Sequence, residues 1–85
     1  MHYVYIIQSD KTSILYFGRT NDLVQRLKDH NNGSNFSTKE QKPWHYVYTE
    51  GYLSEKDAIQ RELKLKNYDN ARTYVKKRIQ NSLKL

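Results

Sequence analysis

The residue pattern predicts an α+β fold: a small antiparallel three-stranded sheet flanked by helices, in the order ββαβαα. Three observations predict it. Two short β-branched and aromatic runs near the N-terminus lie on either side of a polar turn, a third aromatic run follows a polar loop, and the C-terminal third carries apolar residues at i, i+4 spacing. Eighty-five residues suit one domain spanning 1–85. A chain of this size buries about 60–65% of its unfolded surface, so any active site should be shallow.

Tyr3 to Ile7 alternate, with Tyr3, Tyr5 and Ile7 on one face and Val4 and Ile6 on the other, which predicts a strand. Ser9 to Ser13 read as a polar turn, and Ile14 to Arg19 repeat the strand signature, so the two form a hairpin that sets Tyr5 and Tyr16 on neighbouring strands. Thr20-Asn21-Asp22 offer N-cap side chains, and Leu23 with Leu27 makes an apolar pair, predicting a helix over about 22–31 with Gly33 as its C-cap. Residues 34–43 are polar and end at the only proline, predicting an exposed loop before a strand over about 44–50. Ser54-Glu55-Lys56-Asp57 resemble a capping box opening a helix over about 55–66. A last helix over about 70–82 carries Ala71, Val75, Ile79 and Leu83 as a stripe.

Leu, Ile, Val and Phe number 19 of 85 residues, few for a packed core, and eight tyrosines make up part of the deficit. A tyrosine buries its ring while its hydroxyl stays at a wet boundary, which favours a groove on the sheet. The absence of cysteine excludes disulfides and thiolate zinc sites, and His2, His30 and His45 are too dispersed for a histidine zinc site, so no zinc is expected. Without a secretory signal pattern or a long apolar run, the expectation is a cytoplasmic protein with no membrane partner. The net charge of +6 is uneven: residues 53–85 carry nine basic and four acidic side chains, residues 1–52 six and five. Such a balance suits a phosphate backbone and equally suits plain solubility.

Some residues are not explained by the fold. Arg26 and His30 lie four apart on the first helix, at the edge of the Leu23/Leu27 stripe. They read either as site residues or as local electrostatics, with Arg26 paired to Asp22 and His30 a cation at the helix C-terminus. On the second helix Ala58, Ile59, Leu63 and Leu65 define the apolar arc, and Glu62 falls in its middle. A buried unpaired carboxylate is costly, so Glu62 either meets a cation such as Arg26 or Lys66, or reaches a metal in a groove. Gly18 inside a strand signals a bulge or a close approach.

Together these residues resemble the GIY-YIG nuclease family, over nearly the whole chain and most closely its small free-standing members. Tyr3-Val4-Tyr5 corresponds to the first motif and Tyr16-Phe17-Gly18 to the second, followed by Arg19, Arg26 and His30. Ala58-Ile59-Gln60-Arg61-Glu62, with Lys66 beyond, matches the helix that supplies the family's metal-binding glutamate. Tyr3, Val4 and Phe17 depart from the family's Gly and Ile, while both motif tyrosines remain.

The resemblance implies a metal-dependent endonuclease that hydrolyses DNA phosphodiester bonds with low sequence specificity, on structured or damaged DNA. In that reading Tyr16 activates water, Arg26 steadies transition-state charge, Tyr5 supports and orients, His30 relays a proton or binds phosphate, and Gly18 and Arg19 assist. Glu62 holds one Mg²⁺ or Mn²⁺. Since a free phenol titrates near pH 10, a tyrosine base requires cations nearby. Lys64, Lys66, Lys76, Lys77 and Arg78 would contact the nucleic-acid backbone, RNA being the alternative polymer to DNA, and a protein partner could supply specificity. The rival readings are a non-catalytic nucleic-acid-binding module and a protein-interaction scaffold.

Overall fold

A computed structural model describes residues 1–83. Strands β1 (His2–Ser9), β2 (Leu15–Thr20) and β3 (Trp44–Tyr52) form one antiparallel sheet in the order β2-β1-β3, with helices α1 (Leu23–Asn31), α2 (Glu55–Asn67) and α3 (Asp69–Arg78) around it. The predicted ββαβαα order is the observed one. The central strand alternates as its sequence requires: Val4 and Ile6 face α2 and α3, while Tyr5 and Ile7 face α1. Each wholly buried aliphatic side chain on this strand stabilises the fold by about 1.5–3 kcal/mol.

The turn between β1 and β2 is closed by Ser9, whose Oγ accepts from the backbone N–H of Lys11 (3.0 Å) and Thr12 (3.1 Å). α1 starts at Asp22, whose carboxylate accepts from Gln25 N at 3.0 Å. It ends on Gly33 at φ +83°, with Ser34 N bonded back to Asp29 O at 3.1 Å, so the glycine takes the left-handed position that a C-terminal cap requires. Arg72 closes α2 by donating to the Leu65 (2.8 Å) and Lys66 (2.9 Å) carbonyls.

Several expectations are corrected. Ser54 makes no side-chain capping bond, so the capping box does not form; Glu55 and Asp57 in the first turn act on the helix dipole instead. Leu63 is exposed and lies outside the buried arc, which centres on Ala58 and Leu65. α3 stops at Arg78, though Val75, Ile79, Ala71 and Leu83 pack in one cluster, because the chain turns after Ile79. The 34–43 segment is not simply exposed: it contains a short 3₁₀ turn (Lys39–Gln41), and Thr38 is wholly buried.

β3 holds the largest departure. Its pairing with β1 slips between Ile6 and Ile7, which face Tyr48 and Tyr46, leaving Val47 as an extra residue. The bulge sends Trp44 and Tyr46 to the α1 face and Tyr48, Glu50 and Tyr52 to the α2 face. There Glu50 accepts from Tyr48 Oη (2.7 Å), Tyr52 Oη (2.6 Å) and Arg61 (2.9–3.1 Å). Every donor around this carboxylate is anchored, so the cluster locks α2 to β3.

Candidate active site

The α1 face of the sheet carries a chain of hydrogen bonds. Arg26 Nε donates to Tyr5 Oη at 3.2 Å, Tyr5 Oη lies 2.8 Å from His30 Nε2, and His30 Nδ1 lies 2.7 Å from Thr38 Oγ1. Its direction follows from counting donors. The Tyr5 oxygen already accepts from Arg26, so its buried hydroxyl proton needs an acceptor, and His30 Nε2 is the one within reach. His30 then carries its proton on Nδ1 and donates to Thr38, whose hydroxyl turns to Asn35 O at 3.5 Å. Desolvation pushes His30 down to about 4, with Arg26 adding to the shift, so the ring is neutral at pH 7, as this chain requires. Burial likewise raises the Tyr5 phenol, which stays protonated as a donor.

Removing the last acceptor tests the tautomer. Thr38→Val, which keeps the shape and deletes the hydroxyl, is expected to cost about 1–3 kcal/mol in urea unfolding by stranding His30 Nδ1–H. A change below about 0.5 kcal/mol would mean that Nδ1 carries no proton.

Tyr16 sits in front of this chain. Its ring packs edge-on against His30 (5.3 Å between centroids) and Trp44 (6.3 Å), and Trp44 is held by a bond from its Nε1 to Thr38 O at 2.9 Å. Tyr16 is half-buried, and its hydroxyl takes no hydrogen bond among the described residues, which leaves it open to a reactant. β2 is an edge strand, so α2 on the opposite face reaches Tyr16 around it: Lys66 Nζ stands 5.8 Å from the Tyr16 ring and 3.1 Å from Glu62 Oε2. Glu62 Oε1 lies 3.4 Å from Arg19 Nε. Arg19 and Arg26 line one polar cleft of about 300 Å³ with His2, Thr20, Asn21 and Glu55. Larger hollows at the α2–α3 junction (about 510 Å³) and under α1 (about 450 Å³) gather none of these residues.

The residues predicted for catalysis and its support thus come together at or behind the β2 edge, with corrections. Arg26 is held by Tyr5, not by the Asp22 pair considered for it. His30 is neither an exposed helix-end cation nor open to phosphate: it is wholly buried with both nitrogens engaged, so it positions Tyr5. Tyr5 also lies behind the groove surface. Gly18 is a close approach: Tyr5 faces it across the strand pair, and a Cβ there would fall 2.5 Å from Tyr5 Cζ. Glu62 meets Lys66 as expected and Arg19 where Arg26 was considered; its charge also bears on the Tyr5 hydroxyl.

The five residues expected to contact a nucleic-acid backbone lie apart from one another. Lys66 stands in the site, Lys64 borders the α2–α3 hollow, Lys76 lies beside Leu15 and Phe17, Arg78 is close enough for its charge to reach Tyr48 on β3, and Lys77 is exposed. Thr38 and Trp44 were not predicted as site residues. Trp44 was legible as a strand aromatic, but nothing local in Ser37-Thr38-Lys39 marks Thr38 as buried.

For a divalent ion, Glu62 offers one carboxylate, 18% exposed, and no group of three His, Cys, Asp or Glu gathers among the described residues. That donor set fits an ion holding mainly water and substrate phosphate, as Mg²⁺ does, with the flexible Lys66 free to swing aside. It does not fit zinc.

The family model for the GIY-YIG catalytic domain matches residues 1–78. A UPF0213 protein of Staphylococcus aureus strain Mu3 is 38% identical over 68 residues, covering 79% of this chain and 82% of its own, and that of strain N315 gives the same values. Among solved structures, the solution NMR structure of a UPF0213 protein from Bacillus halodurans is similar at a TM-score of 0.53 and 28% identity, covering 86% of this chain and 78% of that one.

Proposed function

The chain belongs to the GIY-YIG catalytic-domain family, and from that premise we propose that it is a metal-dependent endonuclease hydrolysing DNA phosphodiester bonds with low sequence specificity, on structured or damaged DNA. The family is generally one of nucleases. The observation that carries the reading is the meeting of an unbonded Tyr16 hydroxyl, a braced Arg26 and the Glu62 carboxylate at one sheet edge.

In this mechanism a phosphodiester lies in the cleft with a non-bridging oxygen toward Arg26. Tyr16, as phenolate, takes a proton from a water whose oxygen attacks phosphorus, and the opposite P–O bond breaks to release the sugar oxygen, which takes a proton from solvent. Lys66 and Arg19 supply cations near that base. Arg26 is fixed through Tyr5, His30 and Thr38, so it stabilises the developing charge without reorganising. Glu62 is the residue that would hold one Mg²⁺ or Mn²⁺, which when bound supplies charge neutralisation at the phosphate. Contacts from arginine and lysine to phosphate carry affinity and no sequence information, which supports low specificity.

One observation favours the second reading, a non-catalytic nucleic-acid-binding module: both Glu62 oxygens already face cations. Nicking of supercoiled and branched DNA with Mg²⁺ or Mn²⁺ decides between them. Tyr16→Phe and Glu62→Ala are each expected to lower the rate about 100-fold. Wild-type cleavage no faster than Glu62→Ala sinks the nuclease reading; salt-dependent binding without cleavage selects the binding module, and no binding at any salt selects a protein scaffold.

A further inference from the structure

On the loop that packs behind Tyr16, at the Ser9–Trp44 end of the sheet, stands an aromatic side chain that neither the core nor the mechanism uses. Phe36 is 82% exposed, yet the loop carrying it is firmly tied. Asn35 O accepts from Thr38 N (3.2 Å) and Lys39 N (3.1 Å), Asn35 Oδ1 accepts from Ser37 N (3.0 Å), and Ser9 Oγ donates to Gln41 O (2.5 Å). A loop held in this way presents Phe36 to water with its backbone already ordered.

Position and charge say what it meets. Thr38 bonds to His30 through its hydroxyl and to Trp44 through its carbonyl, and Tyr16 packs on both those rings. Phe36 is two residues away, at most about 7 Å of extended chain. Lys39 Nζ lies 4.8 Å from the Phe36 ring centroid, leaving the other ring face open. Lys42 Nζ and Lys39 Cβ both lie over Gly33, and Lys11 Nζ reaches the backbone carbonyl of Glu40 at 3.3 Å, so three lysines stand at a loop that carries one glutamate. An open aromatic face beside ammonium groups is how a protein stacks a base and holds its phosphate without reading sequence.

We infer that Phe36, with Lys39 and Lys42, is a stacking contact for an unpaired DNA base on the strand that continues from the groove past Tyr16, giving the protein a preference for single-stranded or branched DNA over blunt duplex. The inference rests on the nuclease reading only in the path of that strand. Bases within a duplex are stacked on each other and do not offer a free face, so the contact discriminates by strand state.

Fluorescence anisotropy with labelled oligonucleotides in EDTA, where cleavage cannot intervene, tests it. Phe36→Ala and Phe36→Leu are each expected to weaken binding to a single DNA strand about 10-fold and to blunt duplex less than about 2-fold, with Phe36→Trp retaining wild-type affinity. Equal weakening for both DNAs, no weakening, or full affinity in Phe36→Leu would overturn it, the last because apolar contact without a π-face would then suffice. Tighter, Phe36-dependent binding of the same sequence as RNA would overturn the assignment to DNA. The two readings fail separately: Phe36-dependent binding without cleavage removes the nuclease and keeps this contact, whereas cleavage with unchanged Phe36→Ala binding does the reverse. Circular dichroism melts of the variants should match wild type, since the ring is exposed.

Discussion

Lowering the pH from 6.5 to about 4 is expected to remove about 3 kcal/mol of folding stability through His30 alone. The sign follows from linkage. In the folded protein the buried ring resists protonation down to about 4, while in the unfolded chain it protonates near 6.5. Between those values the unfolded state binds more protons, so this contribution is fully present above pH 6.5 and is lost as pH falls toward the folded value. Protonation also removes the lone pair on Nε2 that accepts from Tyr5, so the support beneath Arg26 loosens together with the fold. Glu50 acts in a lower window. Burial alone would raise it, but hydrogen bonds from Arg61, Tyr52 and Tyr48 outweigh burial and hold it below its ordinary 4.5, so its contribution fades only below that pH. Urea unfolding at about pH 7.5 and about pH 5, for wild type and His30→Gln, separates the two. The variant should have a lower stability at neutral pH and a much flatter slope; an unchanged slope would assign the acid sensitivity elsewhere.

Gly18→Ala should unfold the protein more easily and silence the site together. On an ordinary strand, replacing glycine with alanine stabilises by about 0.4–1 kcal/mol through the unfolded chain. Here the new Cβ would enter the space of the Tyr5 ring, which is wholly buried and bonded at its hydroxyl to His30 and Arg26. Overpacking of that kind costs about 1–3 kcal/mol, so the net effect should be a loss of about 1–2 kcal/mol, or about 5–15 °C in melting temperature. Because the displaced phenol is what braces Arg26, the nicking rate should fall at least as far as in Tyr16→Phe, about 100-fold. Gly51→Ala is the control. Its Cβ would meet chiefly the Met1 sulfur, at the end of a flexible and exposed side chain, which can move away. Equal destabilisation by the two substitutions would show that strand glycine as such, and not the Tyr5 approach, sets the cost.

The site was legible wherever a residue violated its local pattern. Glu62 in an apolar arc and glycine inside a strand both conflict with plain packing, and both lie at the β2 edge; Tyr5 and Tyr16, ordinary strand residues one by one, stood out only through the motif they share with the family. Residues with an ordinary local explanation were harder to read. Arg26 and His30 fit a surface helix as well as a site, because a periodicity of 3.6 locates a helix edge without saying what covers it. Loop 34–43 folds over that edge, brings Thr38 to His30, and so turns a residue that looked exposed into a buried, neutral one. Thr38 itself could not have been found: a threonine among polar residues carries no sign of the distant partner that buries it.

The order of elements, the two faces of β1 and the tyrosine motifs can be read from the residues alone, since they depend on alternation, capping and spacing within a few positions. Which side of the sheet each part of β3 serves emerges only when the strands pair. Strict alternation would put Trp44, Tyr46, Tyr48, Glu50 and Tyr52 on one face; the bulge at Val47 divides them, sending the first two to the tyrosine site and the others to the Glu50 cluster. A bulge is a mismatch between two strands. It therefore has no signature in β3 alone and exists only once β1 is beside it.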